Sequence, residues 1–208
     1  MKIDCISDLH GYYPELEGGD ILIVAGDLTA RDTATEHEHF IDWISKQKYT
    51  HKIVVAGNHD LHIESKALPI LDDGIDYLED NGVTIEGLKI WGTPWSVVMP
   101  SWHPKCKAFG RERDSEIEKY FKAIPSDADI LVTHTPPFGI LDKCYDGSIV
   151  GSKSLMRAVK RINPKLHVFG HIHECGGQFT KKGATTYINA AYCDDRYKPV
   201  NKVVKIEL

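Results

Sequence analysis

Five short clusters of aspartate, asparagine and histidine lie along the sequence, and each carries side chains that can bind a metal ion. The candidate ligands are Asp8, His10, Asp27, Asn58, His134, His171 and His173. Carboxylate, imidazole and amide donors without thiolate suit manganese, iron or zinc in a catalytic site better than a closed structural zinc site. Seven ligands are too many for one catalytic ion. They suit two ions that share a carboxylate, a recurrent arrangement for hydrolysing phosphate esters.

Each cluster directly follows a short run of β-branched residues that predicts a strand. These five runs are Lys2–Ile6, Ile21–Ala25, Lys52–Ala56, Ile130–Thr133 and Leu166–Phe169. Ligands of open α/β sheets gather beyond the carboxyl ends of the strands, so we expect the clusters to converge. Gly26, Gly57 and Gly170 permit the sharp backbone turns that aim the following side chains at one site.

Strands alternate with helices along the chain, which indicates a layered α/β fold. The predicted helices are Thr35–Lys48, Ser115–Ala123 and Ser152–Ile162. The first two begin with capping-box patterns, Thr35 with Glu38 and Ser115 with Glu118. Further strands are predicted at Val83–Glu86, Lys89–Trp91, Thr185–Asn189 and Val203–Glu207. The close spacing of the first pair and of the last pair predicts hairpins, and hence a mixed sheet.

Length and composition favour one ordinary globular domain over residues 1–208, with 42% hydrophobic and 26% charged residues. A net charge of -5 counts against a protein that grips extended nucleic acid. The five cysteines form no CxxC pair, which indicates a reducing compartment. The amino terminus reaches Asp4 after a single apolar residue, and no apolar run approaches the roughly 20 residues of a membrane span. We therefore expect a cytoplasmic protein without a membrane partner.

The ordered motifs Asp-x-His, Gly-Asp, Gly-Asn-His-Asp, His and Gly-His-x-His, which run from Asp8 to His173, resemble the calcineurin-like metallophosphoesterases. Three longer segments resemble the metallophosphoesterase-domain (MPPED) branch, which contains small phosphodiesterases. They are WGTPW (Trp91–Trp95), HTPPFGILD (His134–Asp142) and FGHIHECGG (Phe169–Gly177). The resemblance implies a layered α/β/β/α sandwich in which helices flank two mixed sheets, with the metal site at the carboxyl ends of the strands.

The resemblance also implies roles for the motif residues. One metal would be held by Asp8, His10 and His173, and the other by Asn58, His134 and His171. Asp27 would bridge both ions, and a hydroxide shared by them would attack phosphorus. His59 would protonate or stabilise the leaving oxygen, which suits an imidazole because this group exchanges a proton near neutral pH. Asp60 either orients His59 or serves as a turn or cap residue. Two divalent ions are expected; Mn²⁺ is favoured, and Fe, Zn, Ni or Mg also fit.

The stretch Gly92–Arg113 has no clear periodicity, and long ordered loops are often functional. Its candidate substrate-binding residues are Trp95, Trp102, Phe109, Arg111 and Arg113. The aromatic side chains would stack on a nucleotide base. In the alternative, they only pin a surface loop.

Three functions are compatible with these patterns. The leading hypothesis is a phosphodiesterase for a small phosphoester such as a cyclic nucleotide. A phosphomonoesterase or a nuclease on the same metal centre is the second, although a nuclease needs a basic track that the sequence does not show. A monoesterase needs extra cationic groups near the site, for which Lys105, Arg111, Arg113 and Lys143 are candidates. The third is a non-catalytic interaction module, which the complete ligand set disfavours. The oligomeric state stays open.

Overall fold

Thirteen strands are present in the computed structural model, which describes residues 1–68, 74–98 and 106–208. They are β1 (Lys2–Ile6), β2 (Gly19–Ala25), β3 (Tyr49–Val55), β4 (Asp76–Tyr77), β5 (Asn81–Ile85), β6 (Leu88–Thr93), β7 (Ser96–Val97), β8 (Gly110–Arg111), β9 (Ile130–Thr133), β10 (Leu166–Phe169), β11 (Gln178–Lys182), β12 (Thr185–Asn189) and β13 (Val204–Glu207). Two mixed sheets contain most of them, in the orders β13-β1-β2-β3-β4 and β11-β12-β10-β9-β6-β5. β7 and β8 form a small parallel pair within the stretch predicted to be irregular.

The two sheets face each other, and helices cover their outer surfaces. The helices are α1 (Ala34–Ser45), α2 (Leu61–Glu64), α3 (Asp114–Ala123) and α4 (Lys153–Ile162). Alternate residues of a strand point to opposite faces. In β2, Ile21 and Ile23 belong to the cluster between the sheets, whereas Leu22 and Val24 belong to the cluster that contains Phe40 of α1. Both faces of the central strands are therefore covered, as the predicted α/β/β/α sandwich requires.

Parallel pairing aligns the strand ends that carry the motifs. β1, β2 and β3 are parallel neighbours in the first sheet. β9 and β10 are parallel neighbours in the second. All five predicted motif-bearing strands are present, with end positions that agree within two residues at their carboxyl ends. The motifs that follow them consequently meet at one edge of the sandwich.

The structure confirms one predicted hairpin and corrects the other. β5 and β6 form an antiparallel hairpin, as the sequence predicts. The last two strands do not pair: β12 pairs with β10 and β11, whereas β13 runs antiparallel to β1 in the other sheet. Residues 190–203 connect the two sheets. Backbone hydrogen bonds of Ser7 with Ala190 and Tyr192 fix the start of this connection. β13 pairs with the free edge of β1, whereas the short separation of β12 and β13 in sequence had suggested that these two strands pair with each other.

Both predicted capping boxes are shifted by two residues. The cap of α1 is Thr33, whose Oγ1 accepts from the backbone N of Glu36, while the Glu36 carboxylate accepts from the backbone N of Thr33. α3 begins after Arg113, and Glu116 accepts from its backbone N. The helices begin one residue earlier than predicted, which places Thr35 and Ser115 inside them. None of the helices in the described residues has the length and apolar character to cross a bilayer.

Candidate metal centre

The seven candidate ligands converge beyond the carboxyl ends of β1, β2, β3, β9 and β10. Three groups of side chains bring their donor atoms within 4.8 Å of one another. These groups are Asp8 with His10 and His173, His10 with Asp27 and His59, and Asp8 with Asp27 and His134. Because the groups share members, they form one continuous cluster rather than separate sites.

Asp27 lies at the centre of this cluster, and its two carboxylate oxygens face different imidazoles. Oδ1 is 3.4 Å from Nε2 of His134, and Oδ2 is 3.7 Å from Nε2 of His10. The backbone N of His59 donates to Oδ1 at 2.9 Å. The carboxylate therefore reaches both halves of the cluster at once.

The other metal-ligand atoms also lie close together, so that atoms with lone pairs face one another. Nε2 of His134 lies 2.8 Å from Oδ1 of Asn58 and 3.1 Å from Nδ1 of His171. On the other side, Nε2 of His173 lies 3.2 Å from Oδ1 of Asp8, and 3.3 Å from Nε2 of His10. A proton can lie between the members of each pair, but a divalent cation satisfies several such lone pairs together. The donor set and its crowding thus fit divalent metal ions.

Backbone carbonyls orient the side chains from outside the cluster. Nδ1 of His134 lies 2.9 Å from the carbonyl of Ala25, and Nδ1 of His173 lies 2.7 Å from the carbonyl of Asp194. The Asn58 amide donates to the carbonyl of Cys106 at 3.1 Å. Such partners place the ring proton on Nδ1, and this leaves Nε2 free to bind a metal.

The backbone at the motifs adopts left-handed conformations that residues other than glycine rarely adopt. Four candidate ligands have left-handed φ angles: Asp8 (50°), His10 (44°), Asp27 (54°) and His171 (72°). Each such residue costs about 1–2 kcal/mol, and strain of this kind concentrates at functional sites. Gly57 and Gly170 pass so close to the carboxylates of Asp27 and Asp8 that a Cβ on either glycine would overlap an oxygen. Glycine is therefore required at both positions, because the neighbouring carboxylate leaves no room for a side chain.

Burial and charge shift the pKa values of the cluster in opposite directions. Burial raises the pKa of Asp27 and of Asp8, but neighbouring imidazoles, chiefly His134 and His173 respectively, outweigh burial and hold both pKa values below the usual range. Burial lowers the pKa of His134 and of His173, but the same carboxylates outweigh it and raise each pKa to about 9. The protein chain alone thus holds two protonated imidazoles here. Their protons must leave when metal binds.

His59 and Asp60 occupy different environments although they are adjacent. The His59 ring lies at the rim of the cluster, grouped with His10 and Asp27, with Nε2 4.0 Å from Oδ2 of Asp27 and Nδ1 3.4 Å from the carbonyl of Ala30. The buried Asp60 carboxylate accepts instead from the backbone N of Gly57 (2.7 Å) and of Leu28 (3.1 Å). Its contacts therefore join two motif loops, whereas a main-chain carbonyl orients His59.

The candidate substrate-binding aromatics are placed differently from the expectation. Trp95 is 7% exposed, and its indole N donates to Asp80 at 2.7 Å. One face of its ring stacks on Tyr120 at 3.8 Å, and the guanidinium of Arg111 lies 4.6 Å from the ring centroid. Phe109 is 1% exposed and packs edge-on against Trp95. Neither ring offers an open face to a base, because both pack into the core and anchor the Gly92–Arg113 stretch there.

The other candidates for substrate binding lie outside the cluster or outside the described residues. Arg111 lies 3.9 Å from Glu64, and Arg113 donates to Glu116 at 2.8 Å. These contacts direct both guanidinium groups to neighbouring carboxylates. Trp102 lies outside the residues that the structure describes.

One aromatic residue of the site was missed by sequence reasoning. The ring of Tyr197 lies 4.7 Å from that of His10 and 5.4 Å from that of His173, measured between centroids. Tyr197 lies well beyond His173, the last residue of the ordered motifs, so no motif indicated it. Its left-handed φ of 56° in a polar loop is visible only in the structure.

Comparisons with known proteins agree with this geometry. The family described as Calcineurin-like phosphoesterase matches residues 1–175. Metallophosphoesterase domain-containing protein 1 of Homo sapiens is 35% identical over 233 residues, which cover 98% of this chain and 70% of the relative. A UPF0046 protein of Caenorhabditis elegans is 37% identical over 226 residues, covering 95% of this chain and 77% of that protein.

A solved structure supports the fold independently of close sequence similarity. The crystal structure of TT1561 of Thermus thermophilus superimposes with a TM-score of 0.65 at 17% identity, covering 90% of this chain and 88% of that one. The clustered Asp, Asn and His donors, the family match and the curated relatives lead to the same assignment. The chain belongs to the calcineurin-like phosphoesterase family and is a metal-dependent phosphoesterase.

Proposed function

We propose that this chain is a phosphodiesterase that hydrolyses a small phosphodiester, such as a cyclic nucleotide, at a centre of two divalent cations. The observation that carries the proposal is the position of Asp27, whose two oxygens face imidazoles on opposite sides of the cluster. A carboxylate placed in this way is the bridging ligand that a two-cation site needs. Cations held there would supply Lewis-acid polarisation of the phosphoryl group and a nucleophile near neutral pH.

The proposed ligands divide into two sets around Asp27. Asp8, His10 and His173 form one set, and Asn58, His134 and His171 form the other. The short contacts within each set support this division, since Asp8 pairs with His173 and Asn58 with His134. By fixing where the cations bind, these ligands would also determine how the phosphate is oriented.

His59 is the proposed proton donor to the leaving oxygen. Its side chain is 11% exposed and borders the cluster without belonging to either ligand set. The carbonyl of Ala30 faces Nδ1, which leaves Nε2 turned toward Asp27. An imidazole in this place can give a proton to the departing alcohol. We assign Asp60 to loop positioning rather than to proton transfer.

A diester is preferred over a monoester because of the charge near the site. A monoester brings an additional negative charge, which calls for cationic side chains. Of the four candidates for that task, Arg111 and Arg113 contact Glu64 and Glu116. Lys143 is exposed, and Lys105 lies outside the described residues. Phosphomonoesterase activity on the same centre is the second candidate, supported by the shared ligand set alone. Manganese as the native ion, a nucleotide as substrate and a cytoplasmic location belong to the same proposal.

The test compares bis(p-nitrophenyl) phosphate with p-nitrophenyl phosphate as substrates of chelator-treated protein. Manganese, nickel, zinc or magnesium is added back separately, so the metal-free sample controls for each. We expect metal-restored turnover that favours the diester. A preference for the monoester would transfer the proposal to a phosphomonoesterase. Absence of turnover with every metal would overturn the catalytic proposal for these ester classes.

A further inference from the structure

Tyr197 has a position at the edge of the metal centre that no motif assigns. Its ring meets His10 almost edge-on at 4.7 Å and His173 at 5.4 Å between centroids. The distance to the ring of His59 is 6.1 Å. Tyr197 is nevertheless 47% exposed, so nearly half of this residue remains accessible beside three imidazoles. Among the described aromatic residues singled out above, Trp95 and Phe109 are buried, and Tyr197 alone combines exposure with contact to the cluster.

A tight turn holds this ring in place. The carboxylate of Asp194 accepts from the backbone N of Arg196 at 3.0 Å and of Lys198 at 2.8 Å. The backbone of Asp194 also bonds with that of Tyr197 and that of Lys198. The carbonyl of Asp194 faces Nδ1 of His173 at 2.7 Å. The same residue thus fixes the turn and a proposed metal ligand, so the ring has a set position relative to the centre.

We propose that Tyr197 is a specificity-determining residue whose ring packs against the leaving group of the phosphoester. The inference rests on the proposed function, because His59 marks the side from which the leaving group departs. A group bound beside His59 on the exposed side of Tyr197 can contact both rings, since the two rings are neighbours with centroids 6.1 Å apart. A planar aromatic leaving group gains most from this contact, because it can pack face to face or edge to face with the ring.

The experiment measures binding without turnover. Metal-loaded protein is titrated calorimetrically with phenylphosphonate and with methylphosphonate, which present the same head group with and without an aromatic substituent. We expect the wild-type protein to prefer phenylphosphonate by about fivefold, the range expected of one aromatic contact. Tyr197→Ala should abolish this preference and leave methylphosphonate binding unchanged. Tyr197→Phe should retain the preference, because it keeps the ring.

Tyr145→Ala is the matched control, since Tyr145 is 75% exposed, and no ring contact within the described part of the chain joins it to the cluster. It should behave as the wild type. An undiminished phenyl preference in Tyr197→Ala would overturn the inference, as would an equal loss in Tyr145→Ala. Turnover of bis(p-nitrophenyl) phosphate by the same wild-type sample keeps the two proposals apart. A sample that turns over the diester but shows no effect at Tyr197 retains the proposed function and loses only this inference.

Discussion

Asp27 is the residue on which the two-cation arrangement depends. Asp27→Asn keeps the size of the side chain but removes its charge and one of its two acceptor oxygens. We expect metal content to fall and diester turnover to drop at least about 100-fold, because both ligand sets lose their shared carboxylate. Metal analysis beside turnover is the measurement. Asp42→Asn, at an exposed position of α1, is the matched control. Full activity of Asp27→Asn would show that Asp27 does not bridge.

A variant of His59 should lose turnover while it still binds metal. His59→Ala removes the proposed proton donor but leaves the backbone N that donates to Asp27. We expect metal content near that of the wild type, and turnover lower by about 100-fold or more, the usual contribution of a general acid. Metal content and rate measured on the same sample decide the point. A parallel loss of metal and rate would place His59 among the ligands instead.

The loops that follow β2 and β3 are held together by one buried carboxylate, that of Asp60. Asp60 accepts from the backbone N of Gly57 after β3 and of Leu28 after β2. Asp60→Ala leaves two buried N–H groups unpaired, which should lower the free energy of unfolding by about 2–4 kcal/mol. Burial and the charge of Asp27 raise the pKa of Asp60, so loss of charge should matter little here. Asp60→Asn keeps one of the two acceptor oxygens and should therefore cost less than Asp60→Ala. Urea denaturation of chelated protein measures both variants. Equal losses would argue against this loop-joining role.

The stability of the whole molecule should depend on pH in both directions when metal is absent. Burial lowers the pKa of His10 to about 4, and of His167 and His171 to about 3. Their stabilising effect is complete above the unfolded pKa of about 6.5 and is lost as pH falls through the lowered values. His134 and His173, whose pKa values are about 9, stabilise fully below 6.5 and lose this effect as pH rises through 9.

The free energy of unfolding of chelated protein should therefore peak near pH 6.5 and fall by about 1 kcal/mol per pH unit or more on each side. Urea denaturation between pH 4.5 and 9.5 measures this curve. Added Mn²⁺ should remove the alkaline decline, because the metal replaces the protons of His134 and His173. A flat curve without metal would contradict the opposed pKa shifts.

The candidate donor set and the approximate ends of the strands that present it could be predicted from the sequence. Both are local properties. A β-branched run followed by glycine and a polar side chain identifies a strand end whatever lies beside it, as at Ile21–Ala25 and Lys52–Ala56. The order of the five motifs also sufficed for the family and for the layered fold. The hairpin of β5 and β6 was predictable for the same reason, since its partners are neighbours in sequence.

Which distant segments meet depends on the tertiary structure. β13 pairs with β1 because residues 190–203 cross between the sheets, and proximity in sequence to β12 could not indicate this. Trp95 is buried because Tyr120 of α3 and Asp80 bind it from elsewhere in the chain. Tyr197 reaches His10 through the same crossing segment. Strand pairing and burial depend on partners far apart in sequence, so residue pattern does not specify them before the chain folds.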